Sequence, residues 1–533
     1  MTMKNEYSLE SLGCFSKLFG GKLGRRNSTR LDDEDDGNEV LRRTQQRQHK
    51  RTKSAPLLQT QSTHTSSSFD KDNDPISPGG TLGTLVEKDE QSLPPWKEKT
   101  SFDRSCTCCA GFDYTPTTRQ NSLAQIDELK ESDGETLFRP EVLQTIEETI
   151  DGESANLRKL SLDIWDHPEP AYAEHYAHNT LTSFIAKRGF TVTKHYLGLK
   201  TAWKAEFSHG KDGRVIGVNS EMDALPGLGH ACGHNLIAIS GVAIAIALKA
   251  ALISHDIPGR IILLGTPAEE TGGGKIQLLE RGAYKDMDAC IMSHPGPGPQ
   301  SVSVTSFLAL QHIEVEFFGH SAHAAFSPWE AQNALDAAFL AYSGVSVLRQ
   351  QIRPTCRVHG IVTGKDWEPN VIPDYAKMRW IVRAPTWAEV EVLRKKILAC
   401  FDAAGMATGC KVQIKLLDGY KDVRENRILG TEFCKIVQSR YGLDTLISDD
   451  VMPASTDFGN ISYSLPSIHP AYAIPTEKNG SNHTPQFSQS AKLPEAHEAC
   501  IKISKGLAMT GLRVLADQQF SDQVKEAFEE QQR

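Results

Sequence analysis

From Pro140 onward, segments with apolar residues every three to four positions alternate with short, continuous apolar runs. Helical spacing holds over residues 140–164 and 170–188, placing one apolar stripe of each against a core. Strand-like runs follow at Thr191–Tyr196, Thr201–Phe207 and Val215–Val218. Leu236–Ile253 reads as an Ala-rich helix, Arg260–Thr266 as a strand, Lys275–Arg281 as a helix and Ala289–Met292 as a further strand. This alternation predicts an α/β, doubly wound sheet. The run Leu236–Ile253 is apolar enough to raise the question of a membrane span. Ligand-type residues abut it and no flanking anchors are present, so a buried helix and no membrane span are expected.

The order then changes. Leu308–Phe318 reads as a strand, Trp329–Gln351 as a long helix, Cys356–Val362 and Tyr375–Val382 as strands, Trp387–Ala404 as a helix and Lys411–Leu416 as a strand. The sequence β-α-β-β-α-β predicts a ferredoxin-like α+β unit. We therefore expect a catalytic domain over 136–307 and 418–533, interrupted by an inserted lid or dimerisation domain over 308–417. A small domain hinged over a site can close on it.

Residues 1–135 break with this patterning, being dominated by Ser, Thr, Gln, Arg and Asp. Such a stretch cannot bury enough surface to fold and is expected to be a disordered tail. Basic residues precede a hydroxyl at Ser28, Ser54 and Ser122, a kinase-target pattern that a Ser- and Arg-rich tail also produces by chance. Cys106, Cys108 and Cys109 lack a second ligand pair at zinc-finger spacing, and lipidation there or at Cys14 is only weakly indicated. The chain has 533 residues and a formal net charge of -9, room for two or three domains with no basic stripe for nucleic acid. Its 11 Cys are irregularly spaced and no secretory signal is read, so free thiols in a reducing, cytoplasmic setting are expected.

Candidate chemistry gathers where the apolar strands end. Val215–Val218 leads into Asp223-Ala-Leu-Pro-Gly-Leu-Gly-His-Ala-Cys-Gly-His-Asn235, a Gly-rich loop holding Cys232 and His234. Arg260–Thr266 runs into Pro267-Ala-Glu269-Glu270, Ala289–Met292 into Ser293-His294-Pro295, and a late loop carries Asn482-His483-Thr484. Thiolate and imidazole suit zinc or a neighbouring transition ion, and carboxyl ends of parallel strands are where ligands collect. Taken singly, each has a bland alternative: a packed thiol, a solvated Glu pair, a simple turn. Four such signals on one rim are better explained together by a metal centre.

The motifs Met222-Asp-Ala-Leu-Pro, Gly229-His-Ala-Cys-Gly-His, Pro267-Ala-Glu-Glu, His294-Pro, Gly319-His-Ser-Ala-His-Ala-Ala325, Asn370-Val-Ile-Pro and His483-Thr resemble those of the co-catalytic zinc metallopeptidases of aminoacylase, carboxypeptidase and amidohydrolase type. The likeness covers about 140–520 and is strongest to the amidohydrolase branch, in which Cys replaces a bridging carboxylate. Within it, the run around Cys232 looks most like the β-alanyl dipeptidase and aminobenzoyl-glutamate hydrolase group, with Asn235 where many amidohydrolases carry Asp.

The resemblance implies that Cys232, His234, Glu270, His294 and His483 hold two divalent metal ions, zinc first, with manganese or cobalt as alternatives. It implies Glu269 as general base, Asp223 as an acid orienting a ligand, His323 as a lid histidine acting in some relatives across a homodimer, and Asn370 and Arg383 as substrate-binding. His230 drops out, and Ser455–Gly459 is expected near the pocket without a firm role. The implied activity is hydrolysis of the amide bond in a small dipeptide or N-acyl amino acid. A binding protein retaining the fold without turnover is the alternative, against which stands Glu269, kept with every implied ligand. Deamination is disfavoured because the Cys-x-x-Cys and His-x-Glu signatures are missing.

Overall fold

The computed structural model of the protein describes residues 137–533. The expected tail, with Ser28, Ser54, Ser122, Cys14, Cys106, Cys108 and Cys109, lies outside the described residues. The principal sheet has six strands in the order Thr191–Lys194, Trp203–His209, Gly259–Thr266, Val215–Glu221, Ala289–Ile291 and Ser467–Ile468. The last four pair in parallel, and Trp203–His209 runs antiparallel to both of its neighbours.

Both faces of this sheet are covered, which is why its central strands read as unbroken apolar runs. Ile261 and Leu263 point into a core shared with the helices Pro140–Asp166, His234–Ser254 and Pro494–Ala516. Ile262 and Leu264 point the other way, toward the short helices Gly274–Glu280 and Phe458–Ser462. The helix His234–Ser254 is long and apolar enough to cross a membrane, yet 83% of its most apolar window is buried in protein. Its Gly241 lies so near the strand Val215–Glu221 that a Cβ would fall 2.2 Å from Ser220 Oγ and 2.8 Å from the Asn219 carbonyl.

A second sheet was not foreseen: Asp444–Met452, Ser301–Phe307, Ala471–Ile474 and His294–Pro297 pair in that order. Ser301–Phe307 is rich in Ser and Asp444–Met452 carries three Asp, so their strand character comes from pairing with each other rather than from composition.

The expected ferredoxin-like unit is present, its antiparallel sheet ordered Lys411–Tyr420, Ala309–Phe318, Tyr375–Ala384, Arg357–Thr363. The helices Ala334–Val347 and Trp387–Thr408 pack on one face around Phe317, Trp380 and Phe401. The first of these starts five residues later than the expected Trp329, because the Asn333 side chain accepts from the backbone N–H groups of Leu335 and Asp336 and caps it there. Similarly, the expected helix 170–188 begins only at His175, after Tyr172 adopts a φ of 60°.

Candidate metal centre

Parallel strand ends deliver the donors to one rim. Asp223 follows Val215–Glu221, Glu269 and Glu270 follow Gly259–Thr266, and His294 follows Ala289–Ile291. Cys232 and His234 flank Gly233, whose φ is 79° and whose Cβ, if present, would lie 2.6 Å from Pro295 Cγ, so only glycine fits between them. His483 closes the set from a later loop, its backbone N–H donating to the Ala231 carbonyl at 2.8 Å and its φ at 67°.

One carboxylate organises much of this arrangement. Asp223 Oδ1 accepts from His234 Nδ1 at 3.1 Å and from the Glu269 N–H at 3.2 Å, while Oδ2 accepts from the Glu270 N–H at 3.0 Å. His294 Nδ1 donates to the Pro295 carbonyl at 2.8 Å. With Nδ1 occupied, each ring turns Nε2 inward as a ligand-ready atom. Ala268, left-handed at φ 56°, makes the sharp turn ahead of Glu269, its N–H held by the buried Glu174 at 2.8 Å. Tyr420 then clasps the base from the end of the small unit's last strand, donating to the Glu269 carbonyl at 2.8 Å and accepting from the Gly273 N–H at 3.1 Å.

The inward atoms form overlapping groups. Donor atoms of Cys232, His234 and His294 lie within 4.8 Å of one another, as do those of Cys232, Glu270 and His483, so Cys232 is common to both. Cys232 Sγ is 3.4 Å from His294 Nε2, and His483 Nε2 is 3.3 Å from Glu270 Oε2. His234 Nε2 and Glu270 Oε1, 3.9 Å apart, are buried with no hydrogen-bond partner. Leaving a buried polar atom unpaired costs about 1–3 kcal/mol, which cations bound at these atoms would remove. The S, N and O donor set fits zinc, manganese or cobalt.

The electrostatics agree. Burial pushes the Cys232 thiol far above its usual range, so the thiolate depends on a cation and on the N-terminus of the helix His234–Ser254 beside it. Burial pulls the His234 imidazole down, but Asp223, Cys232 and Glu221 more than offset this and raise it well above the ordinary value. Burial also raises Glu269, with Glu221 and Glu270 adding to the effect. A carboxyl lifted in this way is a stronger base once it ionises.

The lid residues are placed differently. Arg383, partly buried, donates from a terminal nitrogen to Ser455 Oγ at 2.7 Å, and it feels the charge of Glu269. Among the described residues it has no acid partner in direct contact. His323 is exposed, its Nδ1 accepting from the N–H groups of Ala325 and Phe326 at 3.2 Å, which leaves the proton of a neutral ring on Nε2. Asn370, exposed, accepts the Ala324 N–H on its carbonyl at 3.0 Å. These contacts of His323 and Asn370 stay within the small unit, and the structure does not bring either residue into the metal cluster. His230 is buried elsewhere, 3.2 Å from the Ile164 carbonyl.

Sequence reasoning missed Glu174, Glu221, Lys275, Tyr420 and Asp457. Lys275 is 0% exposed although Lys is rarely buried, and it binds Asp457, a member of the loop left without a role. The one available signal was position: Glu221 stands two residues before Asp223, and Lys275 follows three glycines after the Glu pair.

Comparison with known proteins bears on the same residues. The model of the peptidase family M20/M25/M40 matches residues 217–510. Mouse Xaa-Arg dipeptidase is 41% identical over 396 residues, covering 72% of this chain and 90% of its own. A p-aminobenzoyl-glutamate hydrolase chain of Escherichia coli is 27% identical, covering 71% of this chain and 92% of its own. Among solved structures, a dinuclear metal-binding peptidase from Bacillus subtilis superposes with a TM-score of 0.51 at 19% identity, covering 68% of this chain and 99% of its own. With the family model spanning the strand of Glu221 through the helix beyond His483, the chain belongs to the peptidase family M20/M25/M40.

Proposed function

We propose that this chain cleaves the amide bond of small dipeptides, with a residue bearing a free carboxylate, and a basic side chain such as Arg, on the leaving side. It is a metal-dependent amidohydrolase or dipeptidase by family and by its 41% identical relative, named an Xaa-Arg dipeptidase. The observation that carries the reading is the grouping of donor atoms around Cys232, among them His234 Nε2 and Glu270 Oε1, buried and unpartnered, with Glu269 beside them. Cys232, His234, Glu270, His294 and His483 would hold two divalent ions, zinc for preference, with Cys232 common to both. Bound there, the ions would lower the pKa of water and polarise a carbonyl.

The chain's own groups supply the rest. Glu269 takes the proton of the attacking water as the water oxygen joins the carbonyl carbon. It then delivers that proton to the nitrogen as the C–N bond breaks, so that acid and amine leave. Arg383, charged and without an acid in direct contact, receives the substrate carboxylate through a bidentate pair. Asn370 holds the substrate backbone, and His323 Nε2–H donates to the tetrahedral oxyanion.

Residues 308–417 act as the lid on a catalytic domain of 136–307 and 418–533. His323 keeps company with exposed Phe326 and Trp329, and Phe339 and Val347 are exposed on a helix of the same unit, at 79%, 78%, 58% and 74%. Apolar surface of this kind supports a homodimer in which His323 serves the partner's site. The irregularly spaced thiols, unpaired among the described residues, support a cytoplasmic location.

Arg383→Ala tests the substrate reading. It should raise KM for a dipeptide acid about 100-fold while barely changing the already weak cleavage of the C-terminal amide, an effect of the size of a charged hydrogen bond of about 3 kcal/mol. Equal losses on acid and amide would contradict the role given to Arg383.

A further inference from the structure

Behind His234 lies a row of charges that neither the motifs nor the proposed ligand set uses. Lys275 Nζ is 2.6 Å from Glu221 Oε1 and 2.6 Å from Asp457 Oδ1, with all three side chains 0% exposed. The backbone N–H of Lys275 adds a bond to Asp457 Oδ2 at 2.9 Å. One ammonium faces two carboxylates, which leaves negative charge in surplus. Glu221 Oε2, buried and without a hydrogen-bond partner, lies 3.4 Å from His234 Nε2, itself without one.

We infer that Glu221 is a further protein donor to the metal ion held by His234, fixed in place by Lys275 and Asp457. This rests on the two-metal reading of the site. Donor atoms of Glu221, His234 and Glu269 fall within 4.8 Å of one another, a third group that shares His234 with the first. Glu221 would thus add an anionic oxygen beside the imidazole of His234, the residue common to the two groups.

The supporting pair explains its own burial. A buried ion pair seldom stabilises a fold more than apolar residues of the same volume would. Here Lys275 takes one oxygen of Glu221 and leaves the other for the cation.

The test is metal binding by the full chain, read by competition with a chromogenic chelator and by the absorption of the cobalt(II)-loaded protein. Glu221→Gln should weaken one of the two ions at least 10-fold and leave the other within threefold, and should shift the cobalt d–d bands while the Cys232 thiolate-to-cobalt band persists. Glu221→Asp keeps the charge opposite Lys275 but withdraws the carboxylate, and should weaken the same ion if Glu221→Gln fails to fold. Two ions bound with affinities within threefold of the parent and an unchanged cobalt spectrum, in folded Glu221→Gln or Glu221→Asp, would overturn the assignment. If the parent itself bound no pair of ions, the two-metal reading would fail instead, and the outcomes are separable because the parent is measured first.

Discussion

At the scale of single residues, the proposed roles of Cys232 and Glu269 separate binding from chemistry. Cys232→Ser should weaken metal retention by about 10-fold or more, measured as ions remaining after dialysis against a weak chelator, because the thiolate is common to both donor groups. Glu269→Gln should keep the metal yet lose about 100-fold to 10,000-fold in kcat, since it removes the proton carrier. The donors that the structure brings together were legible in the sequence because most of them follow an apolar strand closely, and Asp223, which accepts from His234, could be singled out from its motif. Glu221, Lys275 and Asp457 were not legible, because charged residues read as solvent-facing until tertiary structure places them at 0% exposure. Tyr420 was hidden for another reason: its partner, the Glu269 carbonyl, is 151 positions away in the chain.

At the scale of elements, the strand Val215–Glu221 and the helix His234–Ser254 form the anvil of the site. Their close approach at Gly241 ties Glu221 and Asp223 to His234. Gly241→Val should destabilise the protein by about 1–3 kcal/mol in a denaturant melt, because the new side chain has the Asn219 carbonyl and Ser220 in its way. The same variant should also bind metal less tightly, unlike a core substitution of equal cost far from the rim. Period and apolar runs revealed most of the elements, including both halves of the ferredoxin-like unit. They failed for Ser301–Phe307 and Asp444–Met452, polar strands that hold together by their parallel pairing, and at helix starts set by a single cap such as Asn333.

At the scale of the molecule, acid stability and assembly follow from what is buried and what is not. Burial, with Arg158 nearby, holds the His497 imidazole down to about 4, where its Nε2 meets Ser154 Oγ at 3.0 Å. The unfolded chain takes up that proton near the ordinary value of about 6.5, so His497 costs stability as pH falls from there toward 4. His497→Gln should flatten the fall in melting temperature across that window and leave it unchanged at about pH 8, where the ring is neutral in both states. Phe339→Asp with Val347→Asp should convert the proposed dimer to a monomer in sedimentation, and should lower kcat with metal content intact if His323 acts across the interface. The central claim, that the converging donors make a metal-dependent dipeptidase, is tested most directly by turnover. Protein loaded with zinc, manganese or cobalt is assayed against β-alanyl-lysine, a dipeptide ending in Arg, hippurate and aminobenzoyl-glutamate, beside Glu269→Ala. The account predicts cleavage of a dipeptide by the parent and none by the variant; metal-loaded parent that cleaves none of the four, or a variant as active as the parent, would contradict it.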